Sequence, residues 1–346
     1  MDCDDIAPKG LPMKKRVVFA VSAALLLGTV APASAQDKVV IKFGTRAPAN
    51  SAWHLSLKEA AEKWREVSGG KVELKIFPGG TMGDEGDLIK KMNVGQLQAV
   101  GVSTVGLHVI AHDPQAIDVP MMVSSREEYR CALSKMAPKF EKVLESKGFV
   151  VLAWGEIGFT RFFSTEARPT LAAMRTSKMF SWEGDPDSIT AWKNAGFKPV
   201  VLSSADMVPS LQVGKIDAVC YPPVLILAAG MHNKAKYMLD LPYSSLTGAT
   251  VVSKSTWDKV PEALRPKLIE IFHTYSAKID QDVVRMEKDS LEKMKQQGLQ
   301  VVPVQDLPEW RKAMDALYND IRGKVVPAQT LDEVQQAIKE CRAAKK

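Results

Sequence analysis

Histidine and cysteine are scarce in this 346-residue chain, five of one and four of the other, and the cysteines do not recur at the short paired spacings of a zinc knuckle. A phosphate loop ending in Lys-Ser or Lys-Thr is missing, as are the Gly-x-Gly-x-x-Gly turn of a dinucleotide fold and the Gly-x-Ser-x-Gly elbow of a hydrolase. Past the amino-terminal region, no stretch reaches the roughly 20 consecutive apolar residues that a bilayer helix needs. A large excess of one charge is also lacking: the net formal charge is +6, and from Lys58 to Glu66 basic and acidic residues interleave as on a solvated helix face, which argues against a nucleic-acid partner. No paired carboxylates or activated nucleophile can be named, so the chain reads as a binding protein, not an enzyme, with no cofactor and no metal.

What is present begins with an export signal. Lys14-Lys15-Arg16 precedes an apolar run from Val17 to Val30, which ends in Ala33-Ser34-Ala35. A basic start, a short apolar core and a small-x-small site describe a secretory leader, with cleavage expected after Ala35 and a periplasmic destination. Met13 is the expected start, because Asp2, Asp4 and Asp5 would put acid ahead of a region that export requires to be basic. Cleavage leaves about 311 residues and a net charge of about +5, a length that favours two lobes. The mature chain keeps Cys131, Cys220 and Cys341, so at most one bridge can form. Cys131 with Cys341 is the expected pair, each in a polar helical stretch, and Cys220 in its apolar run reads as a buried thiol.

Hydrophobic periodicity alternates between two and 3.6 along the chain. Strands are expected at Val39–Phe43, Val72–Phe77 and Gln98–Thr104, with helices at Ala52–Val67 and Asp84–Met92 and an apolar segment at Ala116–Met122 closing the unit. A second array has strands at Val150–Trp154, Lys178–Trp182, Pro199–Leu202 and Ile216–Cys220, with a helix over Ser188–Ala195. Such alternation predicts α/β lobes with parallel or mixed sheets. Leu264–Gln297 reads as one helix long enough to brace both lobes, and Glu309–Arg322 and Leu331–Arg342 close the chain as helices.

His108 and His112 stand four apart with Asp113 beside them, which would suit a metal if the segment were helical. The glutamate of a metalloprotease helix is missing, and the pair reads as polar loop residues. Gly79-Gly80 with Gly83 reads as a turn. Aromatic and polar side chains gather at strand ends, at Trp53, Trp154, Phe180, Trp182 and Tyr221, where ligands collect in α/β lobes.

The series Phe77-Pro78-Gly79-Gly80, Gly83-Asp84-Glu85, Gly95, Gly101-Val102-Ser103-Thr104 and Asp118-Val119-Pro120 resembles the periplasmic receptors of TRAP (tripartite ATP-independent periplasmic) transporters, the dicarboxylate-receptor-like family. Gly158-Phe159-Thr160-Arg161, Leu211-Gln212-Val213-Gly214-Lys215-Ile216-Asp217 and Thr247–Val252 extend the likeness over residues 38 to 340. The resemblance implies a two-lobed periplasmic binding protein fold with mixed sheets and a long helix spanning both lobes. Approximate boundaries are 36–158 plus 247–286 for lobe I and 159–246 plus 287–346 for lobe II, after the leader at 1–35. It further implies a monomer that hands a small organic solute to integral membrane subunits driven by an ion gradient. The alternatives are a receptor for an ATP-driven importer or sensor, and a secreted hydrolase.

The family's cleft positions fall on Trp53, Glu85, Ser103, Arg161, Phe180, Ser204 and Tyr221. Phe180 stands where the family's carboxylate-clamping arginine would be, so the bidentate contact cannot form there. With Trp182 two residues on, that wall becomes aromatic. The expectation is therefore an aromatic or hydrophobic monocarboxylate, held by Arg161 with Ser103, Ser204 and Tyr221. The alignment at Arg161 also admits Thr160 as the matching position.

Overall fold

The computed structural model describes residues 38–344; the expected leader, the start at Met13 and cleavage after Ala35 lie outside them. Eleven strands form two sheets among the described residues. In the first, β1 (Val39–Thr45), β2 (Val72–Phe77) and β3 (Ala99–Ser103) run parallel, with α1 (Ala52–Val67) and α2 (Glu85–Asn93) as crossovers. Ser51 and Asp84 start those helices by accepting from backbone amides of the first turn, the usual remedy for orphaned N–H groups. A short helix α3 (Thr104–Leu107) and a 3-10 turn at Asp113–Asp118 follow β3 and lead to α4 (Arg126–Ser146). The long strand β4 (Phe149–Phe159) then crosses towards the second sheet.

That sheet is built from β5 (Arg161–Ser164), β6 (Lys178–Trp182), β7 (Lys198–Leu202), β8 (Ala218–Tyr221) and β9 (Tyr237–Leu239). The short helices α5 (Leu171–Arg175), α6 (Pro186–Asn194), α7 (Met207–Gln212) and α8 (Pro223–Ala228) connect them. The chain returns to the first sheet through β10 (Ser245–Ser253), which inserts antiparallel between β3 and β4. After α9 (Lys254–Trp257), the helix α10 (Arg265–Gln296) runs 32 residues, about 48 Å at 1.5 Å per residue. β11 (Gln300–Val302) completes the second sheet beside β9, giving the order β11-β9-β5-β8-β6-β7 against β2-β1-β3-β10-β4 in the first. The last helices are α11 (Leu307–Ile321) and α12 (Ala328–Ala343).

The two sheets make this a two-lobed mixed α/β fold, with α10 shared between them. Leu268, Ile271 and Phe272 of α10 join the core under the first sheet, and Met294 at its far end joins the core of the second. The chain crosses between sheets at two adjacent strands, where Thr160 donates its amide to Ser244 O (2.8 Å) and Tyr243 donates to Thr160 O (3.0 Å). Cys131 on α4 and Cys341 on α12 form a disulfide with Cα atoms 6.0 Å apart, closing 210 residues of sequence.

Two of the sequence signatures hold the frame. Asp118 accepts from the hydroxyls of Thr104, Ser245 (2.7 Å) and Thr247 (2.7 Å) and from the Thr247 amide (2.9 Å), tying the 3-10 turn to β10. Asp217 accepts from the Lys178 amide at 2.7 Å and from Arg168 at 3.3 Å, which fixes β6 against β8. No helix among the described residues is long and apolar enough to cross a membrane.

Candidate functional site between the two sheets

Strand ends of both sheets converge on a cavity of about 660 Å³. Of the nine expected site residues, Trp53, Glu85, Ser103, Trp154, Phe180, Trp182, Ser204 and Tyr221 line it and Arg161 does not. Trp53 projects from the first turn of α1, and Glu85 opens α2. Phe180, Trp182 and Tyr221 supply an aromatic wall from the second sheet, the Phe180 and Tyr221 rings lying 6.1 Å apart. Trp182 also reaches across the lip. A methyl group placed on Gly184 would fall 2.2 Å from its ring, so that glycine leaves room for the indole, while one on Gly86 of α2 would meet the ring at an ordinary contact of 3.8 Å. Trp154 borders the cavity, and its indole also packs on Phe140 of α4 and donates to Glu141 at 3.0 Å.

Arg161 departs from the expectation for an electrostatic reason. Glu287 of α10 is buried, and a buried carboxylate needs a cationic partner. Arg161 and Arg126 both supply one, while Arg126 and Arg130 pair with Glu156 of β4. Burial pushes the Glu156 carboxyl above its ordinary range, and the Arg126 guanidinium offsets only part of that shift. The guanidinium of Arg161 is thus paired with the brace helix and is not part of the cavity lining. Its neighbour Thr160 lines the cavity instead.

The cationic side chain in the lining is Arg46, which follows β1 and was not singled out from sequence. Its Nη1 meets Asp84 at 3.0 Å and donates to Ser204 across the cleft at 3.2 Å. Placement just past the carboxyl end of a parallel strand was the one signal that could have found it. Gln115, Asp185 and Ser188 were missed as well; Gln115 Nε2 donates to Asp185 at 3.2 Å and to Ser188 at 3.4 Å, a second polar link between the sheets. Asp185 and Ser188 were readable only as the helix start of α6.

Glu85 accepts from the Ser103 hydroxyl at 2.6 Å and the Ser103 amide at 3.1 Å, and burial raises its pKa against those bonds. Tyr221 is pushed up to about 12 by burial, and Cys220 beside it to about 12 for the same reason, so neither ionises in the neutral range.

The description "Bacterial extracellular solute-binding protein, family 7" matches residues 43–324. Among curated proteins, the chain is 23% identical over 308 residues to the 2,3-diketo-L-gulonate-binding periplasmic protein YiaO of Escherichia coli, covering 85% of this chain and 92% of that protein. It is 19% identical to the sialic acid-binding periplasmic protein SiaP of Vibrio cholerae, over 87% and 94% of the two. Among solved structures, a TRAP periplasmic solute-binding protein from Desulfovibrio salexigens with bound orotic acid superposes with a TM-score of 0.81. The two share 20% identity, over 88% of this chain and 99% of that one. A second, from Xanthobacter autotrophicus with bound β-D-galacturonate, gives 0.80 at 17% identity, over 86% and 99%.

Proposed function

The chain belongs to family 7 of the bacterial extracellular solute-binding proteins, and on that premise we propose that it is a monomeric periplasmic receptor that encloses a small organic acid and delivers it to the membrane subunits of a TRAP transporter. The family comprises receptors, not enzymes, so the solute leaves chemically unchanged. The observation that carries this reading is the cavity itself, whose walls come from both sheets and whose volume falls in the range of small-ligand sites.

The solute is a flat, largely apolar carboxylate. Phe180, Trp182, Tyr221 and Trp53 offer faces on which a planar ring can lie. Arg46 supplies the anchor in place of Arg161: both of its protein contacts use Nη1, which leaves the rest of the guanidinium fork for a carboxylate. Glu85 and Ser103 accept from ring N–H or hydroxyl donors. Relatives that hold orotate, galacturonate and diketogulonate support an acid, and the aromatic wall favours the flat member of that set.

Calorimetry with planar ring acids, uronates and aromatic amines tests the reading. A planar acid should bind most tightly, and Arg46→Ala should weaken it by about 10- to 100-fold, the worth of a charged hydrogen bond. Equal affinity for wild type and Arg46→Ala would overturn the anchor, and a preference for amines over every acid would overturn the solute class.

A further inference from the structure

The fold places two imidazoles and a carboxylate together at a point the solute cavity does not use. His108 and His112 lie in the segment between α3 and the 3-10 turn, on the side of the first sheet. Asp187 sits in the first turn of α6, on the side of the second. His108 Nε2 is 3.3 Å from Asp187 Oδ2, His112 Nδ1 is 3.8 Å from the same oxygen, and the two rings are 3.9 Å apart. One ligand atom from each of the three lies within 4.8 Å of the others. Asp113, the acid adjacent in sequence, is instead engaged by the Thr330 hydroxyl.

We propose that His108, His112 and Asp187 form a binding site for a zinc-class divalent cation that bridges the two lobes. Two neutral imidazoles and one carboxylate are a donor set suited to zinc, which takes nitrogen and oxygen at about 2.0–2.2 Å and leaves its fourth position to water. Donors on such a tetrahedron stand about 3.3–3.6 Å apart, and the three side chains, whose ligand atoms lie within 4.8 Å of one another, would draw together on binding.

Two details support a ligand here. His108 is nine-tenths buried and turns its Nε2, the nitrogen a metal would take, towards Asp187 at 3.3 Å. His112 Nδ1 lies 3.0 Å from the Val325 carbonyl, which can only accept. With the proton on Nδ1 and directed at that carbonyl, the lone pair left for a metal is on Nε2, so the ring binds through the nitrogen other than the one nearest Asp187.

Because the histidines and the aspartate belong to different lobes, the full donor set exists only while the lobes are together. A cation bound by all three favours closure, and by linkage closure favours the cation. Metal uptake stands apart from the identity of the solute.

The test uses the mature chain without a histidine tag, stripped with chelator and free of solute. Cobalt(II) absorption and zinc calorimetry should show one site per chain. Asp187→Asn should weaken it at least tenfold, His112→Ala should do the same, and both variants should keep the wild-type melting midpoint in chelator. Zinc should also lower the radius of gyration of wild type in scattering and leave that of Asp187→Asn unchanged. No stoichiometric metal in wild type would overturn the site, and equal affinity in wild type and Asp187→Asn, as from stray surface histidines, would overturn the bridge.

Discussion

Glu85 is caught between water and the core. It opens α2, accepts two bonds from Ser103, and is approached so closely by Gly106 that a methyl group there would fall 2.6 Å from its Oε2. Burial holds its carboxyl above the ordinary value of 4.5, so between that value and the folded one the native state keeps a proton that the unfolded chain has released. The associated stability is present below pH 4.5 and is lost as pH rises through the folded value. Glu85→Gln removes the titration and keeps an acceptor for the Ser103 amide. Melting of solute-free protein should therefore show a variant that loses less stability than wild type between pH 5 and pH 8; identical pH slopes would show that the carboxyl does not titrate in a dry site. Legibility from sequence was uneven at this scale. Strand-end aromatics announced themselves because a tryptophan beside a turn is conspicuous. Arg161 and Arg46 could not be ranked, since which guanidinium meets a buried Glu287 depends on a helix more than a hundred residues further on.

At the scale of elements, local chemistry and long-range pairing separate cleanly. Helix α1 was readable at Ala52–Val67 and α10 to within a residue at each end, because caps and a 3.6-residue period are local signals. Strand β4 extends to Phe159, five residues beyond the expected end at Trp154, because its second half is held by pairing with β10. That pairing is formed by a segment almost a hundred residues later and leaves no mark on the local pattern. Helix α4 carries charge over most of its surface, which hides its period, yet its buried face packs on α12 in a shared core. The Cys131–Cys341 bridge fastens those two helices across 210 residues of chain. Closing so long a loop restricts the unfolded chain, and the expected contribution is about 2–5 kcal/mol. Replacing both cysteines by serine should lower the melting midpoint by roughly 5–10 °C, with Cys220 still slow to alkylate at pH 8 because its thiol is pushed up to about 12. An unchanged midpoint would mean that the α4 and α12 packing alone sets the stability of that corner.

In the whole molecule, the cleft is closed by few contacts. Arg46 reaches Ser204, Gln115 reaches Asp185 and Ser188, His108 and His112 approach Asp187, and Trp182 lies against Gly86. Each such hydrogen bond contributes about 0.5–1.5 kcal/mol, far less than the cores beneath the two sheets, so the lobes can part without either unfolding. The crossing strands at Thr160 and Ser244, with α10 alongside, keep the lobes joined while the cleft opens. A solute touching both walls adds its binding energy to the closed form alone and shifts the population towards it. Scattering should therefore report a larger radius of gyration for the empty receptor than for the saturated one. Ser204→Ala combined with Gln115→Ala removes two of the polar links between the lobes while sparing Arg46 and the aromatic wall. That variant should be more open when empty, reach the same compact form at saturation, and bind the solute about 3- to 30-fold more weakly. If empty and saturated receptors scatter alike, and the double variant binds as tightly as wild type, the cavity is a fixed pocket and closure plays no part in capture.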